Sequence, residues 1–295
     1  MINPRIDNMT RVMVQGITGR AGRMHARLMR DYGTHIVAGV SPKTARDVDG
    51  VPVFASCRDA VEQTRATASV LLVGAEQLLG AIEDAVHAGI GLIVTPTEGM
   101  PVHDALRARR LTQAAGVTWI GASTPGVAVA GQAKLGFLPQ ASLKPGPLGL
   151  MSKSGTLSYE AGYRLAQRGI GTSVWVGVGG DTVKGTRFAE LVPFYAADAQ
   201  TQALLVIGEI GGNEEEEFAA ALAEYRFNKP VFALIAGRSS PEGVTMGHAG
   251  ALVHGSHGGY AAKKAALEQA GATVFASLDG MTDAIAAWHA TRAAV

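Results

Sequence analysis

A chain of 295 residues, 47% apolar and 17% charged, is long enough for about two domains and can bury sizeable cores. Its formal net charge of +1 excludes a generally basic polyanion binder, and an aromatic content of 6% leaves little for base-stacking platforms. Cys57 is the single cysteine, which excludes a disulfide framework or a multi-cysteine zinc site and points to a reducing compartment.

The stretch 1–10 is polar, contains Pro4 and has no apolar h-region. No run approaches the ~18 apolar residues of a membrane-spanning helix. The expectation is a cytoplasmic protein that engages neither membrane nor nucleic acid.

In the first half, short apolar runs alternate with helical segments. Val12, Met13 and Val14 enter the glycine loop 16–22, and the helix that follows carries Met24, Leu28 and Met29 on one side and ends at Gly33. Further strands are predicted over 35–40, 68–73, 91–94 and 117–120, with helices over 57–63, 77–87 and 103–115. Runs of Val, Ile and Leu without alternation suit parallel strands covered on both faces, so residues 1–122 are predicted to form a doubly wound, Rossmann-like α/β domain. Ligands of such domains bind beyond the carboxyl ends of the strands. There, loop 16–22 offers backbone amides and a helix N-terminus to a phosphate. The glycine spacing alone fits either a nicotinamide dinucleotide or another phosphorylated cofactor. The second strand leads into Ser41, Pro42 and Lys43, a cation where NAD-preferring reductases place an acid. Lys43 suits an extra phosphate, as on NADP or on the 3′-phosphate of coenzyme A.

Residues 123–147 lose periodicity and gather Pro125, Pro139, Pro145 and Pro147, and are predicted as an interdomain connection. A second α/β series spans 148–295, with strands over 149–151, 173–178, 203–207, 231–235 and 274–275. Helices from 157 and near 186–195, 214–225, 260–270 and 280–292 separate them, the pattern of a flavodoxin-like, doubly wound parallel-sheet domain. Three strand ends carry chemistry. Ser154, Gly155 and Thr156 open a helix whose N-terminus can hold an anion. Glu209 lies in the glycine loop 208–212, and a third strand runs into the glycine-rich segment 237–259 that contains His248. A glutamate accepting the Nδ1 proton would leave Nε2 as nucleophile and stabilise the imidazolium formed on phosphorylation. The acidic run 214–217 opens a helix, suits its dipole, and is assigned no chemistry.

Glu209 in GEIGG, His248 in MGHAGA, SKSGTLSYE at 152–160, QGITG at 15–19 and TEG at 97–99 together resemble the α subunit of succinyl-CoA synthetase along essentially the whole chain. The resemblance implies that the first domain binds coenzyme A through Thr18, Gly19, Arg20 and Ala21. Pro96, Thr97 and Glu98 would form a further segment, and Lys43 matches after a one-residue gap. It implies that His248 is the phosphorylated histidine and Glu209 its orienting acid. Ser154, Gly155 and Thr156 would hold the phosphate, and Tyr159 would be a substrate-side tyrosine near the subunit interface. No metal is implied for this chain. A separate β subunit of ATP-grasp fold would bind ATP or GTP with Mg2+ in a hetero-dimer or hetero-tetramer. The implied activity is an acid–thiol ligase forming an acyl-CoA through phosphohistidine and acyl phosphate.

Two stretches depart from the family pattern. Gly121-Ala122-Ser123-Thr124-Pro125-Gly126 stands where members commonly read GPNCPG, and Gly179-Gly180-Asp181-Thr182-Val183-Lys184-Gly185 where they read GGDPIPG. The acid is therefore left open between succinate, malate and a sulfonated acid, with Lys184 a candidate partner for its far anionic group. Readings from other classes are an NAD(P)-dependent reductase and a non-catalytic coenzyme A-binding regulator.

Overall fold

The computed structural model describes residues 2–42, 47–240, 247–248, 250–253 and 258–293. The first domain is built on a seven-stranded sheet. Strands β1 (Val12–Gln15), β2 (Ile36–Val40), β4 (Val51–Phe54), β5 (Ala68–Leu71), β6 (Leu92–Thr95) and β7 (Thr118–Gly121) are parallel, and the short β3 (Asp47–Val48) is antiparallel to β4. The order is β3-β4-β2-β1-β5-β6-β7. β1, β5, β6 and β7 are buried at every position, as their unbroken apolar runs require when helices cover both faces.

Helix α1 (Arg20–Tyr32) ends where predicted: Gly33 takes φ 115°, and its N–H bonds the carbonyls of Arg30 and Met29. Its buried face differs from the predicted one. Gly22, Ala26 and Met29 face the sheet, while Met24 and Leu28 point to solvent. Two small residues one turn apart, Gly22 and Ala26, let the helix lie close to the loop before it. A Cβ on Gly22 would stand 2.1 Å from the Gly16 carbonyl oxygen. Helices α2 (Cys57–Thr64), α3 (Leu78–His87) and α4 (Val102–Ala114) complete the layers. Ser56 caps α2 by accepting the Asp59 N–H.

Residues 123–147 are not the irregular connection their prolines suggested. They hold β8 (Gly126–Val129), β9 (Ala133–Gly136) and a 3₁₀ turn (Gln140–Ser142). β8 pairs antiparallel with β11 (Thr172–Gly177), and β9 with β8, so the hairpin forms one edge of the second sheet. Pro125 and Pro139 precede β8 and the 3₁₀ turn, while Pro145 and Pro147 lie in the first residues of β10, where its pairing with β11 is irregular. The hairpin also ties the domains together: Thr34 Oγ1 donates to the Lys134 carbonyl at 2.7 Å and accepts the Lys134 N–H at 3.1 Å.

In the second sheet β10 (Pro145–Ser152), β11, β12 (Ala203–Glu209), β13 (Val231–Ala236) and β14 (Thr273–Phe275) are parallel, in the order β14-β13-β12-β10-β11-β8-β9. Helices α5 (Gly155–Gln167), α6 (Phe188–Ala197), α7 (Glu214–Glu224), α8 (Tyr260–Gln269) and α9 (Leu278–Ala293) cover it. The loop before α6 closes the seam between domains. The Gly185 N–H reaches the Gly121 carbonyl at 2.6 Å, Thr186 Oγ1 the Trp119 carbonyl, and Arg109 the Lys184 carbonyl, the last two at 2.7 Å. Among the described residues no helix is long and apolar enough to cross a membrane.

Candidate active site

The first half of the site lies beyond β1, β2 and β6. Gly16 takes φ 79°, Gly19 caps α1, and the loop folds back so that the Gly19 N–H meets the Gly16 carbonyl at 3.0 Å. The Arg20 and Ala21 amides that follow are first-turn donors with no intrahelical acceptor, at the positive end of the α1 dipole. Thr18 Oγ1 and Ser41 Oγ lie 3.0 Å apart and join the ends of β1 and β2. Beyond β6, Pro96 is buried, Thr97 donates to the Val73 carbonyl at 2.8 Å, and Glu98 is exposed. Thr18, Gly19, Arg20, Ala21, Pro96, Thr97 and Glu98 thus share the carboxyl edge of one sheet. Lys43 lies outside the described residues.

The second half is assembled from neighbouring strands β10 and β12. β10 ends at Ser152, whose hydroxyl donates to the Ser154 carbonyl at 2.7 Å and accepts the Ser154 N–H at 3.0 Å, turning the chain into α5. Ser154 is the N-cap, its Oγ accepting the Leu157 N–H. Gly155 and Thr156 supply the first-turn amides, free of intrahelical acceptors. The Tyr159 hydroxyl lies 3.5 Å from the position a Cβ on Gly155 would take, and burial pushes its pKa up to about 12.

His248 Nδ1 lies 2.6 Å from Glu209 Oε2, with the imidazole side chain 30% exposed and the carboxylate 8%. With Nδ1 as donor, Nε2 keeps its lone pair. The Glu209 hydrogen bond holds the imidazole pKa above its ordinary value, against burial and the Lys184 charge, which lower it. Glu98, from the other domain, adds a small upward push. The ring lies against Gly180: a Cβ there would stand 2.7 Å from Cγ and 2.8 Å from Nδ1. The described residues after His248 pack against the glycines after Glu209. Gly211, at φ 88°, leaves no room for a side chain beneath the Gly250 carbonyl, and its N–H bonds the Gly258 carbonyl at 2.8 Å. Met246 and Ala249 of the histidine motif lie outside the described residues.

Behind Glu209 stands a buried ionic network that the sequence did not announce. Lys153 Nζ lies 2.9 Å from Glu215 and 3.5 Å from Glu214, Lys184 Nζ lies 3.0 Å from Glu214, and Lys263 pairs with Glu215 and, at 3.1 Å, with Glu216. Glu215 also accepts the Glu209 N–H at 3.0 Å. Glu214 and Glu215 are 4% and 0% exposed, so the acidic run does more than suit a helix dipole. Flanking lysines hold Glu214 ionised against its burial. Lys184 is likewise committed, donating to Glu214 and, at 2.7 Å, to the Gly179 carbonyl, with its pKa lowered by burial. Two of its three N–H donors are thereby used, and it borders the cavity beside Glu209. The signal available was the need of any buried acid for a cation, but the partners lie 30 and 48 residues from the acids they meet.

The two halves meet through the departing stretches. The Ser123 N–H donates to the Thr97 carbonyl at 2.9 Å, and the Gly180 N–H to the Ser123 carbonyl at 3.3 Å. Asp181 is half-buried here; burial raises its pKa, and the charge of Glu98 from the first domain adds to this. A cavity of about 500 Å³ opens beside Glu209, bordered by Lys153, Gly180, Asp181, Arg109, Arg187 and Gly250. Cys57 plays no part; it is buried, and burial raises its thiol pKa far above the ordinary range.

A model of the CoA binding domain matches residues 7–99, and a model of the CoA-ligase domain matches residues 151–273. The chain is 46% identical to a succinate–CoA ligase [ADP-forming] subunit alpha from Aquifex aeolicus, over 90% of this chain and 88% of that one. It is 42% identical to an ADP-forming sulfoacetate-CoA ligase subunit from Bilophila wadsworthia, over 90% of this chain and 92% of that one. Its fold matches ATP citrate lyase from Methanothrix soehngenii, solved with citrate and coenzyme A, with a TM-score of 0.88 at 24% identity; 98% of this chain aligns, spanning about half (51%) of that one.

Proposed function

Since this chain belongs to the family of succinate–CoA ligase α subunits, a family of acid–thiol ligases, we propose that it is the coenzyme A-binding, phosphohistidine-carrying subunit of a nucleoside-diphosphate-forming acid–CoA ligase. The observation that carries this reading is the His248–Glu209 pair, at 2.6 Å, standing where the carboxyl ends of both sheets meet.

His248 Nε2 attacks the terminal phosphorus of a nucleoside triphosphate, and the bond from that phosphorus to the nucleoside diphosphate breaks. The Nδ1 proton stays between imidazole and Glu209, which balances the positive charge the ring acquires. The Gly155 and Thr156 amides at the α5 N-terminus receive the phosphoryl oxygens, as helix N-termini do. His248 then releases the phosphoryl group to the carboxylate of the acid, giving an acyl phosphate and restoring the lone pair of Nε2. Coenzyme A supplies the thiol that displaces phosphate to form the thioester. Its phosphates fit the Arg20 and Ala21 amides at the tight Gly16–Gly22 turn, where backbone packing leaves no room for a Cβ on Gly16 or Gly22.

The nucleotide, ATP or GTP with Mg2+, is held by an ATP-grasp β subunit with which this chain forms a hetero-dimer or hetero-tetramer. A carrier histidine needs a donor on a second site, and relatives named as subunits support that assembly. The far group of the acid is read by residues other than Lys184, whose ammonium is occupied. Relatives named for succinate and for sulfoacetate support a short acid with a second anionic end, carboxylate or sulfonate.

The test is incubation of the co-expressed complex with γ-labelled ATP. This chain should take up acid-labile, base-stable label that is absent from His248→Ala and is discharged by acid plus coenzyme A. Label persisting in His248→Ala, or no label in the wild type, refutes the reading. A screen of succinate, malate and sulfoacetate in the same complex identifies the acid.

A further inference from the structure

We infer that Glu215 is a positioning residue for the carrier pair: one of its oxygens grips both Lys153 and the Glu209 backbone, and so keeps that lysine from drawing the Glu209 carboxylate away from His248. The inference rests on the role proposed above for His248. It gives a task to an acid that the mechanism leaves unused.

Glu215 stands in the first turn of α7 and is fully buried. Its Oε1 accepts the Glu209 N–H at 3.0 Å and meets Lys153 Nζ at 2.9 Å, and its Oε2 pairs with Lys263 on α8. The side chain lies directly against the end of β12: a Cβ on Gly208 would stand 2.5 Å from Oε1 and 2.8 Å from Cγ. On the β13 side, Glu209 is in register with Ala236, whose carbonyl accepts the Ile210 N–H at 3.0 Å. The backbone from which the Glu209 carboxylate reaches His248 is thus fixed by both neighbours.

Two lysines stand near enough to compete with His248 for that carboxylate. Lys153 and Lys184 border the same cavity as Glu209, and the Glu209 charge favours the ammonium form of each. Lys184 is held by Glu214 and the Gly179 carbonyl, whereas the closest anion to Lys153 Nζ is Glu215. Lys153, Lys184 and Lys263 meet Glu214, Glu215 and Glu216, three charges of each sign. The network is therefore balanced within itself, and Glu209 is left to His248. Glu98, from the first domain, also acts on the imidazole. Without the Glu215 charge, Lys153 would fall to Glu214, 3.5 Å away and already engaged by Lys184 and the Phe188 N–H. A buried ammonium left short of a counter-charge is costly, so it turns to another carboxylate within reach, and Glu209 lines the same cavity.

The test is the pH dependence of His248 labelling by γ-labelled ATP in the complex with the β partner, read beside the thermal midpoint. Glu215→Gln keeps an oxygen for the Glu209 N–H and loses the charge that holds Lys153. Labelling should slow about 10-fold, and its acid limb should move to lower pH, because a Glu209 shared with a lysine supports the imidazolium less. Adding Lys153→Met to Glu215→Gln removes the competing ammonium and leaves two charges of each sign. The double variant should return the acid limb to its wild-type position and recover most of the rate. A merely structural role for Glu215 would lower the midpoint and the active fraction without moving the limb. If Glu215→Gln does not fold, Glu215→Asp decides: the charge stays, but a side chain one methylene shorter cannot meet the Glu209 N–H, Lys153 and Lys263 at once. Its limb should move the same way by less, and Lys153→Met should again reverse the shift. A wild-type rate and limb in the folded variant would overturn the inference, as would slowing with an unmoved limb, or slowing that Lys153→Met does not relieve. A wild-type chain that takes no label overturns the proposed function, and this inference with it.

Discussion

Gly180→Ala isolates the seat of His248. An added Cβ would stand 2.7 Å from the ring Cγ and 2.8 Å from Cδ2 and Nδ1, while ordinary contact begins at 3.4 Å, so the ring must retreat by about 0.7 Å. The obstacle is the end of a side chain on a glycine-rich loop, so the protein can yield without unfolding. What it loses is the 2.6 Å bond to Glu209, since the ring cannot leave Gly180 and keep both its position and that contact. A hydrogen bond to a charged group is worth about 1.5–3 kcal/mol, which is roughly 10- to 100-fold in rate. Displacement of the nucleophile by somewhat under 1 Å leads to a similar figure. The assay is the rate of histidine labelling by γ-labelled ATP in the complex, set beside the thermal midpoint. The expected result is labelling slowed about 10- to 100-fold with the midpoint moved by only a few degrees. Wild-type labelling would refute the seat, and a large drop in midpoint would show that Gly180 serves the fold instead.

Glu209→Gln removes the main influence holding the His248 pKa up and leaves burial and Lys184 to lower it. Labelling should slow by about 10- to 100-fold, and its acid limb should move to lower pH, because the neutral ring now persists further down; a limb that stays or rises contradicts this. The same raised pKa links to stability: the pair's contribution is fully present below the ordinary imidazole value of ~6.5 and is lost as pH rises through the raised one. His248→Ala should therefore cost more in denaturant unfolding near pH ~5.5 than near pH ~9. Lys184→Met strips Glu214 of one cation while leaving Lys153 and the Phe188 N–H, so unfolding free energy should fall by up to about 3 kcal/mol with no change in acid preference. A change in acid preference without loss of stability would restore Lys184 as a substrate reader. Cys57 should resist alkylation until the protein is unfolded, and Cys57→Ala should keep its turnover.

Much of this site is local and could be read before any coordinates. Gly16, Gly22 and Gly33 do what their spacing announces, a tight turn into a helix and a helix stop, because turn geometry depends on a handful of adjacent residues. The β1, β5 and β12 runs announce covered strands, because burial on both faces removes alternation. The pairing of Glu209 with His248 was legible in the same way: each sits in a glycine motif at a strand end, and one sheet edge brings such ends together. The hairpin β8–β9 was hidden because proline marks a break without saying whether the pieces between breaks pair. The outward turn of Met24 and Leu28 was hidden because Gly22 and Ala26 carry no hydrophobic signal, yet their smallness decides which face approaches the sheet.

What only the tertiary structure decided concerns charge and close approach. The sequence by itself determined that this chain has two wound sheets, a glycine turn leading into a helix N-terminus, and a glutamate and a histidine in glycine-rich segments. It did not determine that Glu214 and Glu215 are buried, that Lys184 is committed to one of them, or that Gly180 forms the floor beneath His248. The free energy of a buried charge depends on which distant groups stand within a few ångströms of it. A histidine's seat depends on the one atom that is absent beneath it. Neither quantity has a period or a motif along the chain, and both arise when the two carboxyl edges meet.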